Sequence, residues 1–165
     1  MNTKGFTLTE VLVTVVILGV LVSVGLPQYM RTVERSRATE AMAAIKAIND
    51  AIYVYYADKE KCPGTFSKLP IALPDAELGV SAIKTKNFTF TLGDNTVATV
   101  PGTSCSGAVA TRWGTSKYNY KIWNPFSAGT SGKALALQCD GSNADSVAVC
   151  ESLGLYREAA ATEDE

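Results

Sequence analysis

The chain begins with a long, uninterrupted apolar segment. No charged residue lies between Glu10 and Arg31, and residues 11–30 are rich in valine and leucine. As an α-helix this segment is about 30 Å long, which matches the hydrocarbon core of a bilayer. A helix that is apolar on every side could also be the core of a globular protein, but it would then need a larger domain around it. The pattern therefore predicts a membrane-spanning helix over residues 6–30.

After Pro27 the pattern becomes amphipathic. Apolar residues recur at steps of three and four, at Ala41, Ile45, Ile48, Ile52 and Tyr55, whereas polar residues fall on other faces, at Arg35, Glu40, Lys46, Asn49, Asp50 and Asp58. One helix is predicted over residues 6–58, about 80 Å long, whose second half (31–58) packs on a core. Three tyrosines, Tyr53, Tyr55 and Tyr56, are expected to pack in that core. Pro27 is expected to bend or locally melt the helix.

Beyond the helix the period changes to two. Residues 59–86 contain three prolines and no sustained period, which predicts a connecting region with one short helix at residues 75–78. Residues 87–156 predict an antiparallel sheet and a disulfide loop, with strands at 88–92, 96–100, 108–113, 118–123 and 133–139. Residues 157–165 predict a flexible acidic tail. The fold class is α+β: a long N-terminal helix packed on an antiparallel sheet of four or five strands.

Composition narrows the function. The chain has 165 residues, 15 lysines and arginines against 16 acidic residues, and no histidine. The length excludes a large multidomain enzyme, and the missing histidine removes the commonest general base and zinc ligand. The balanced charge gives no global field that would recruit nucleic acid or an anionic membrane surface, which leaves only local patches for such contacts. We expect a protein that is not an enzyme and that uses no cofactor or metal.

Four cysteines, Cys62, Cys105, Cys139 and Cys150, form an even set without CxxC spacing. A zinc site is disfavoured, and two disulfides in an oxidising compartment are the simpler interpretation, with buried free thiols as the alternative. Four cysteines allow three connectivities. We favour Cys139–Cys150 with Cys62–Cys105, because the first pair brackets a short polar loop.

Three other groups of residues are candidate binding or modification sites. The oxygen ligands Asp140, Asn143 and Asp145 suggest calcium, but they lack the usual ligand spacing, so Asx-turns are favoured. Asn87-Phe88-Thr89 is formally a glycosylation sequon, which is weak evidence for modification. The lysines could line a DNA-contacting surface, although solvated positions are favoured; they are Lys84, Lys86, Lys117, Lys121 and Lys133.

The N-terminal residues Lys4-Gly5-Phe6-Thr7-Leu8-Thr9-Glu10, followed by the apolar run, resemble the class III signal of type IV pilins and pseudopilins. The resemblance implies that a prepilin peptidase removes residues 1–5 as a leader, cutting after Gly5, and methylates the new amine of Phe6. Gly19 and Pro27 match positions where a helix-loosening glycine and a kinking proline recur in this family. The resemblance therefore implies a helix kink and the family's lollipop fold.

Glu10 lies where the apolar run begins. An ionisable side chain within hydrocarbon costs at least ~2.5 kcal/mol and is normally retained with a partner. Residues 11–30 contain no basic residue. The resemblance implies that Glu10 pairs with the Phe6 amine of a neighbouring subunit; the alternative is a carboxylate that rests among the lipid headgroups.

The flanking charges conflict with the expected topology. Lys4 precedes the apolar segment, whereas Arg31, Arg35 and Arg37 follow it closely. The positive-inside rule alone would place the C-terminal part in the cytoplasm. The cysteines and the family's layout place it outside, and we expect a single-pass precursor with a periplasmic C-terminal domain.

The resemblance implies a structural subunit of a type IV pilus. The precursor is inserted in the inner membrane, then cleaved, methylated and polymerised with copies of itself into an extracellular helical filament by the family's assembly machinery. The paired cysteines near the C-terminus favour a pilin. The alternatives are a type II secretion pseudopilin, which forms a short periplasmic filament, and a membrane-anchored periplasmic binding protein.

Overall fold

One long helix dominates the computed structural model, which describes residues 5–93, 105–124 and 137–155. Helix α1 runs from Leu8 to Lys59, 52 residues, and ends at Glu60, whose φ of 51° is left-handed. This confirms the predicted helix to within two residues at each end. The helix is continuous through Gly25 and Pro27, so the proline does not melt it in the single chain.

A six-stranded antiparallel sheet packs on the second half of α1, and its strands follow one another in sequence order. The strands are β1 (Glu77–Leu78), β2 (Ala82–Lys84), β3 (Phe88–Leu92), β4 (Ala108–Arg112), β5 (Tyr120–Trp123) and β6 (Gln138–Gly141). A 3₁₀ turn at Phe66–Lys68 precedes the sheet, and helix α2 (Ala144–Ser152) follows it. The predicted α+β fold is confirmed.

The predicted short helix at residues 75–78 is wrong. Glu77–Leu78 is a strand that pairs with β2, and Asp75 before it has a left-handed φ of 51°. A tight turn closes the hairpin, where the Gly79 amide donates to the Ala82 carbonyl at 2.9 Å. A Cβ at Gly79 would lie 2.7 Å from that carbonyl oxygen, so the turn needs glycine. Strands β1 and β2 thus extend the sheet into the region predicted to be a connection.

The remaining strand predictions fare unevenly. Strands β3, β4 and β5 lie within the predicted ranges 88–92, 108–113 and 118–123. Strand β6 occupies 138–141, later than the predicted 133–139. The predicted strand 96–100, residues 133–136 and the tail from 157 lie outside the described residues.

The core lies between the apolar stripe of α1 and the inner face of the sheet. The buried stripe residues are Ala38, Ala41, Ile45, Ile48 and Ile52, and the facing residues include Ile83, Phe88, Phe90, Ala110, Tyr120 and Ile122. Asn49, predicted on a polar face, is instead buried, and its Oδ1 accepts a hydrogen bond from the Ala108 amide at 2.9 Å. Tyr55 and Tyr56 pack against the core, whereas Tyr53 is 51% exposed, so the prediction holds for two of the three tyrosines.

Two disulfides have the favoured connectivity. Cys62–Cys105 joins the chain just after α1 to the chain just before β4, and Cys139–Cys150 joins β6 to α2. The segment between Cys139 and Cys150 is not the expected loop, because most of it forms α2. Asn143 caps this helix: its Oδ1 accepts from the Ser146 amide at 2.9 Å.

A buried ion pair connects α1 to the sheet at the start of the buried half of the helix. Glu34 and Arg112 have side-chain exposures of 0% and 5%. Arg112 Nε donates to Glu34 Oε1 at 2.5 Å, and Nη2 donates to Oε2 at 3.3 Å. Tyr120 Oη and Arg37 Nη1 donate to the same carboxylate at 3.1 and 2.9 Å. Each oxygen of the Glu34 carboxylate therefore accepts two hydrogen bonds.

The environment of Glu34 holds it in the charged form. Burial by itself raises the pKa of the Glu34 carboxyl, but the hydrogen bonds from Arg112 and Arg37 outweigh burial, and the pKa lies below its usual value. Burial, with the adjacent Glu34 charge, raises the pKa of Tyr120, which stays protonated and remains a donor.

Glu34→Gln tests this pair. We expect the substitution to lower the free energy of unfolding at pH 7 by about 3 kcal/mol, because Arg112 is left without a counterion in a buried site. Since the folded-state pKa of Glu34 is lowered, its contribution is present above the unfolded-state value of about 4.3 and is lost as the pH falls below it. The difference in free energy of unfolding between wild type and variant should therefore decrease below that pH.

The measurement is urea unfolding in detergent micelles, followed by near-UV circular dichroism across pH 3 to 7. The matched control is Glu40→Gln on the exposed face of α1, which should change stability by less than about 0.5 kcal/mol. A gap between wild type and the Glu34 variant that stays constant with pH contradicts the assignment of the charge.

The disulfides should contribute unequally. The chain-entropy estimate gives about 4 kcal/mol for Cys62–Cys105, whose separation is 43 residues, and about 3 kcal/mol for Cys139–Cys150, whose separation is 11. Paired Cys→Ser variants of each bridge, unfolded by urea under the same conditions, measure the difference. Equal losses, or a larger loss for the shorter loop, contradict the estimate.

Candidate functional site

The first half of α1 stands clear of the rest of the chain. Every described residue from 5 to 32 is exposed. The apolar side chains among them range from 42% exposed at Met30 to 81% at Phe6 and Leu8. Soluble monomers rarely expose an apolar surface of this extent, so this surface needs a lipid or protein partner. By length and composition, this part of α1 can cross a membrane.

Two hydroxyl side chains within this apolar half have hydrogen-bond partners in their own helix. The Thr14 hydroxyl donates to the Val11 carbonyl and the Ser23 hydroxyl to the Val20 carbonyl, each at 2.8 Å. Because each hydroxyl has a partner within the helix, neither opposes transfer into an apolar environment.

The predicted processing site lies just before the helix. Gly5 and Phe6 precede Thr7, the residue that caps α1, and neither is helical. Both are exposed, and the space where a Gly5 Cβ would lie is open to beyond 4 Å. The peptide bond between Gly5 and Phe6 is therefore accessible to an enzyme, and the sequence prediction of cleavage there is compatible with the local structure.

Glu10 closes a capping box with Thr7. The Glu10 Oε2 accepts hydrogen bonds from the Thr7 amide at 2.9 Å and from the Thr7 hydroxyl at 2.7 Å, and the Glu10 amide donates to Thr7 Oγ1 at 3.3 Å. The carboxylate thus sits at the positive end of the helix dipole, one turn from Phe6. Sequence analysis missed Thr7, although the spacing Thr7-x-x-Glu10 is the signature of a capping box.

Gly19 and Pro27 are exposed with the rest of the apolar half. A Cβ at Gly19 would meet nothing within 4 Å, so packing within the single chain does not require glycine there. The helix kink at these two residues stays a prediction that concerns packing against other molecules.

The candidate calcium ligands do not converge. Asn143 Oδ1 is occupied as the cap of α2 and also accepts from the Ser146 hydroxyl at 2.7 Å. Asp140 is exposed on β6, and Asp145 lies in the first turn of α2. Among the described residues, no group of three or more His, Cys, Asp or Glu side chains could hold a metal.

The described candidate DNA-contacting lysines lie on different strands and connections of the head. Lys84 Nζ lies 4.1 Å from the centre of the Trp113 ring, and Lys117 Nζ lies 5.5 Å from that of Tyr118. Lys121 pairs in register with Asp140. Lys84 and Lys121 lie in one row across the sheet, with Thr89 and Thr111 between them. Lys133 lies outside the described residues. At the sequon, the Asn87 carbonyl accepts from Arg112 at 2.9 Å, and its side chain is half-buried.

Comparison with known proteins identifies the N-terminal segment. Residues 1–26 match the family described as the prokaryotic N-terminal methylation motif. The chain is 31% identical over 86 residues to the type IV major pilin protein PilE1 of Neisseria gonorrhoeae, covering 51% of this chain and 52% of that protein.

Relatives of two kinds are found. The fimbrial protein EcpC of Eikenella corrodens is 36% identical over 69 residues, 42% of this chain and 45% of its own length. The type II secretion system core protein G of Pseudomonas aeruginosa is 43% identical over 62 residues, 38% and 44% of the two chains. The chain spans about half the length of the curated relatives it matches.

The methylation motif, the relatives and the fold agree with one another. The motif covers the segment that contains Gly5, Phe6 and Glu10, and a long N-terminal helix packed on an antiparallel sheet follows it. The chain therefore carries the prokaryotic N-terminal methylation motif and is similar, over about two fifths to half of its length, to type IV pilins and to type II secretion core protein G.

Proposed function

We propose that this chain is the structural subunit of a type IV pilus. The observation that carries the proposal is the division of α1: its first half exposes every described apolar side chain, whereas an apolar stripe of its second half is buried under the sheet. The exposed half is long enough to hold a precursor in the inner membrane, and the methylation motif at its start marks it for processing.

Assembly then exchanges one apolar environment for another. Residues 6–30 leave the lipid and pack against the same segments of neighbouring subunits, and the sheet domains form the outer wall. Transfer from lipid gains less free energy than transfer from water, so extraction has to be driven by assembly machinery. The activity is structural, and the chain is a substrate of the prepilin peptidase and not an enzyme itself.

Glu10 supplies the pairing charge in this proposal. After cleavage the new amine of Phe6 lies at the same end of the helix as the Glu10 carboxylate. In the filament the carboxylate exchanges its Thr7 partners for the Phe6 amine of a neighbour, which neutralises both charges within an apolar core.

A second candidate function is a type II secretion pseudopilin, favoured by the similarity to core protein G. The Cys139–Cys150 bridge, which ties α2 to the last strand near the C-terminus, supports the pilin, as the family resemblance implies. Electron microscopy of filaments sheared from the cell surface, with mass spectrometry of their subunit, separates the two. Surface filaments that contain this chain support the pilus, and a chain found only in periplasmic fractions supports the pseudopilus.

Processing is tested by the mass of the mature chain. We expect the protein recovered from membranes to lack residues 1–5 and to carry one methyl group on Phe6. Gly5→Leu should abolish cleavage, because it places a bulky side chain at the accessible scissile bond, and the unprocessed chain should remain in the membrane fraction. A wild-type chain that begins at Met1 would instead support an uncleaved anchor, as in a membrane-anchored periplasmic binding protein.

The pairing charge is tested by Glu10→Gln, which keeps a carbonyl oxygen for the capping box and removes the charge. We expect membrane insertion to be unchanged and incorporation into filaments to fall at least tenfold, because an unpaired charge in an apolar core costs at least ~2.5 kcal/mol. Glu10→Ala removes the cap as well, and Glu40→Gln is the control outside the apolar half. Immunoblots of sheared filaments against whole membranes give the ratio; incorporation of Glu10→Gln at the wild-type level would sink the pairing.

A further inference from the structure

The base of the head lies at a defined height on α1. Described residues 5–32 are all exposed, and Glu34 is the first fully buried residue of the helix. Glu34 is four residues beyond Met30, where the apolar segment ends, and this is about 6 Å along the helix axis. The headgroup layer on each side of a bilayer core is about 5–7 Å thick. When residues 11–30 span the core, the base of the head therefore lies among the headgroups.

Contacts with the ion pair identify the part of the sheet at this height. Arg112, which binds Glu34, also donates to the backbone carbonyls of Asn87 and Trp113. The Trp113 indole donates to the Thr85 carbonyl at 3.0 Å, and Lys84 lies over its ring. The turn between β2 and β3 and the end of β4 are thus at the level of Glu34, and the Trp113 side chain is 37% exposed there.

Cationic side chains surround this level. On α1, Arg31 and Arg35 are exposed and lie one turn apart on one face. Arg37 binds Glu34 and lines a groove together with Lys86 and Asn87. We define the basal collar as Arg31, Arg35, Arg37, Lys84, Lys86 and Trp113.

The nearby acids cancel only part of the charge of the collar. Glu34 is neutralised by Arg112, which is itself buried. Glu77 is opposite Lys84 across the β1–β2 pair. Glu40 and Asp75 lie in the groove that Arg37 and Lys86 share with them. Arg31 and Arg35 precede the groove residues on α1, and none of these acids is placed against them. The remaining positive charge of the collar therefore lies on the side of the apolar half.

We propose that the basal collar binds the phosphodiester headgroups of anionic phospholipids in the leaflet from which the head emerges. The inference rests on the membrane anchoring proposed above. Guanidinium groups match phosphate geometry, and a tryptophan among cations is the side chain that favours the membrane interface. The collar is continuous with the apolar helix half, whose last turn carries the exposed Tyr29.

This assignment also accounts for the conflict between the flanking charges and the positive-inside rule. Arg37 is held by Glu34, so it belongs to the fold of the head. Arg31 and Arg35 gain a partner in the headgroups on the outer side of the inner membrane. The three arginines after the apolar segment therefore have roles on the side where they lie.

Quenching of Trp113 fluorescence tests the proposal in the full-length chain. Because the chain has two tryptophans, Trp123→Phe leaves Trp113 as the single reporter. The protein is reconstituted into vesicles of phosphatidylcholine alone or mixed with phosphatidylglycerol, each with a trace of headgroup nitroxide lipid. We expect stronger quenching in the mixed vesicles, and high salt should remove the difference by screening.

Arg31→Gln with Arg35→Gln should at least halve the difference in quenching between the two vesicle types, since each basic residue near the surface raises the affinity for an anionic membrane about fivefold. The matched control is Lys46→Gln with Lys61→Gln, which removes the same charge from exposed positions in and beyond the second half of α1 and should leave the difference unchanged. The comparison of low and high salt uses a chain that keeps both arginines, so it tests the proposal even if a variant expresses poorly.

Insertion is scored separately by flotation of the vesicles after an alkaline wash. Loss of the protein from the floated vesicles would refute the membrane anchoring itself. Insertion with equal quenching in both vesicle types overturns the lipid proposal while leaving the anchoring intact. If the double arginine variant keeps the full difference in quenching but is excluded from filaments, the arginines bind a second copy of the chain, and the lipid proposal is wrong.

Discussion

The ion pair between Glu34 and Arg112 sets the position of the long helix against the sheet. Withdrawing both charges from water is costly, and the cost is offset only because Arg112, Arg37 and Tyr120 all donate to the same carboxylate. A shift of the helix by one turn would leave Arg112 buried without its counterion. The pair therefore selects a single register, whereas the apolar contacts of the isoleucine stripe would tolerate several.

The register decides which residues are left outside the head. With Glu34 fixed at the base, the stripe from Ala38 to Ile52 is covered and every described residue before residue 33 is exposed. The position of Glu34 in the head thus determines how many apolar residues remain exposed, together with the length of the apolar segment itself. It also brings Arg31 and Arg35 close to Trp113 in height, although they are distant in sequence.

Much of this arrangement could be predicted from residue spacing, and its key contact was missed for a specific reason. Continuing the stripe backward from Ala41 by three and four residues reaches Ala38 and Glu34, and the inward alternation of Ala108 and Ala110 reaches Arg112. Opposite charges on two buried faces predict a pair, but the predicted stripe starts at Ala41 and does not reach Glu34. The strand at residues 77–78 could not be found this way, because its conformation depends on pairing with β2. The role proposed for Glu10 between subunits is equally absent from the pattern of one chain.

The Cys62–Cys105 bridge has a mechanical consequence for a molecule that is held by its N-terminal half. The bridge ties the chain just beyond the far end of α1 to the start of β4, whereas the ion pair holds the near end of the buried half. A pull on the free half loads the ionic contacts at the base first, and the far end cannot separate while the covalent bond is intact. Under such a pull, the electrostatic contacts at the base break first. Separation of the helix from the sheet can then proceed only as far as the Cys62–Cys105 bond.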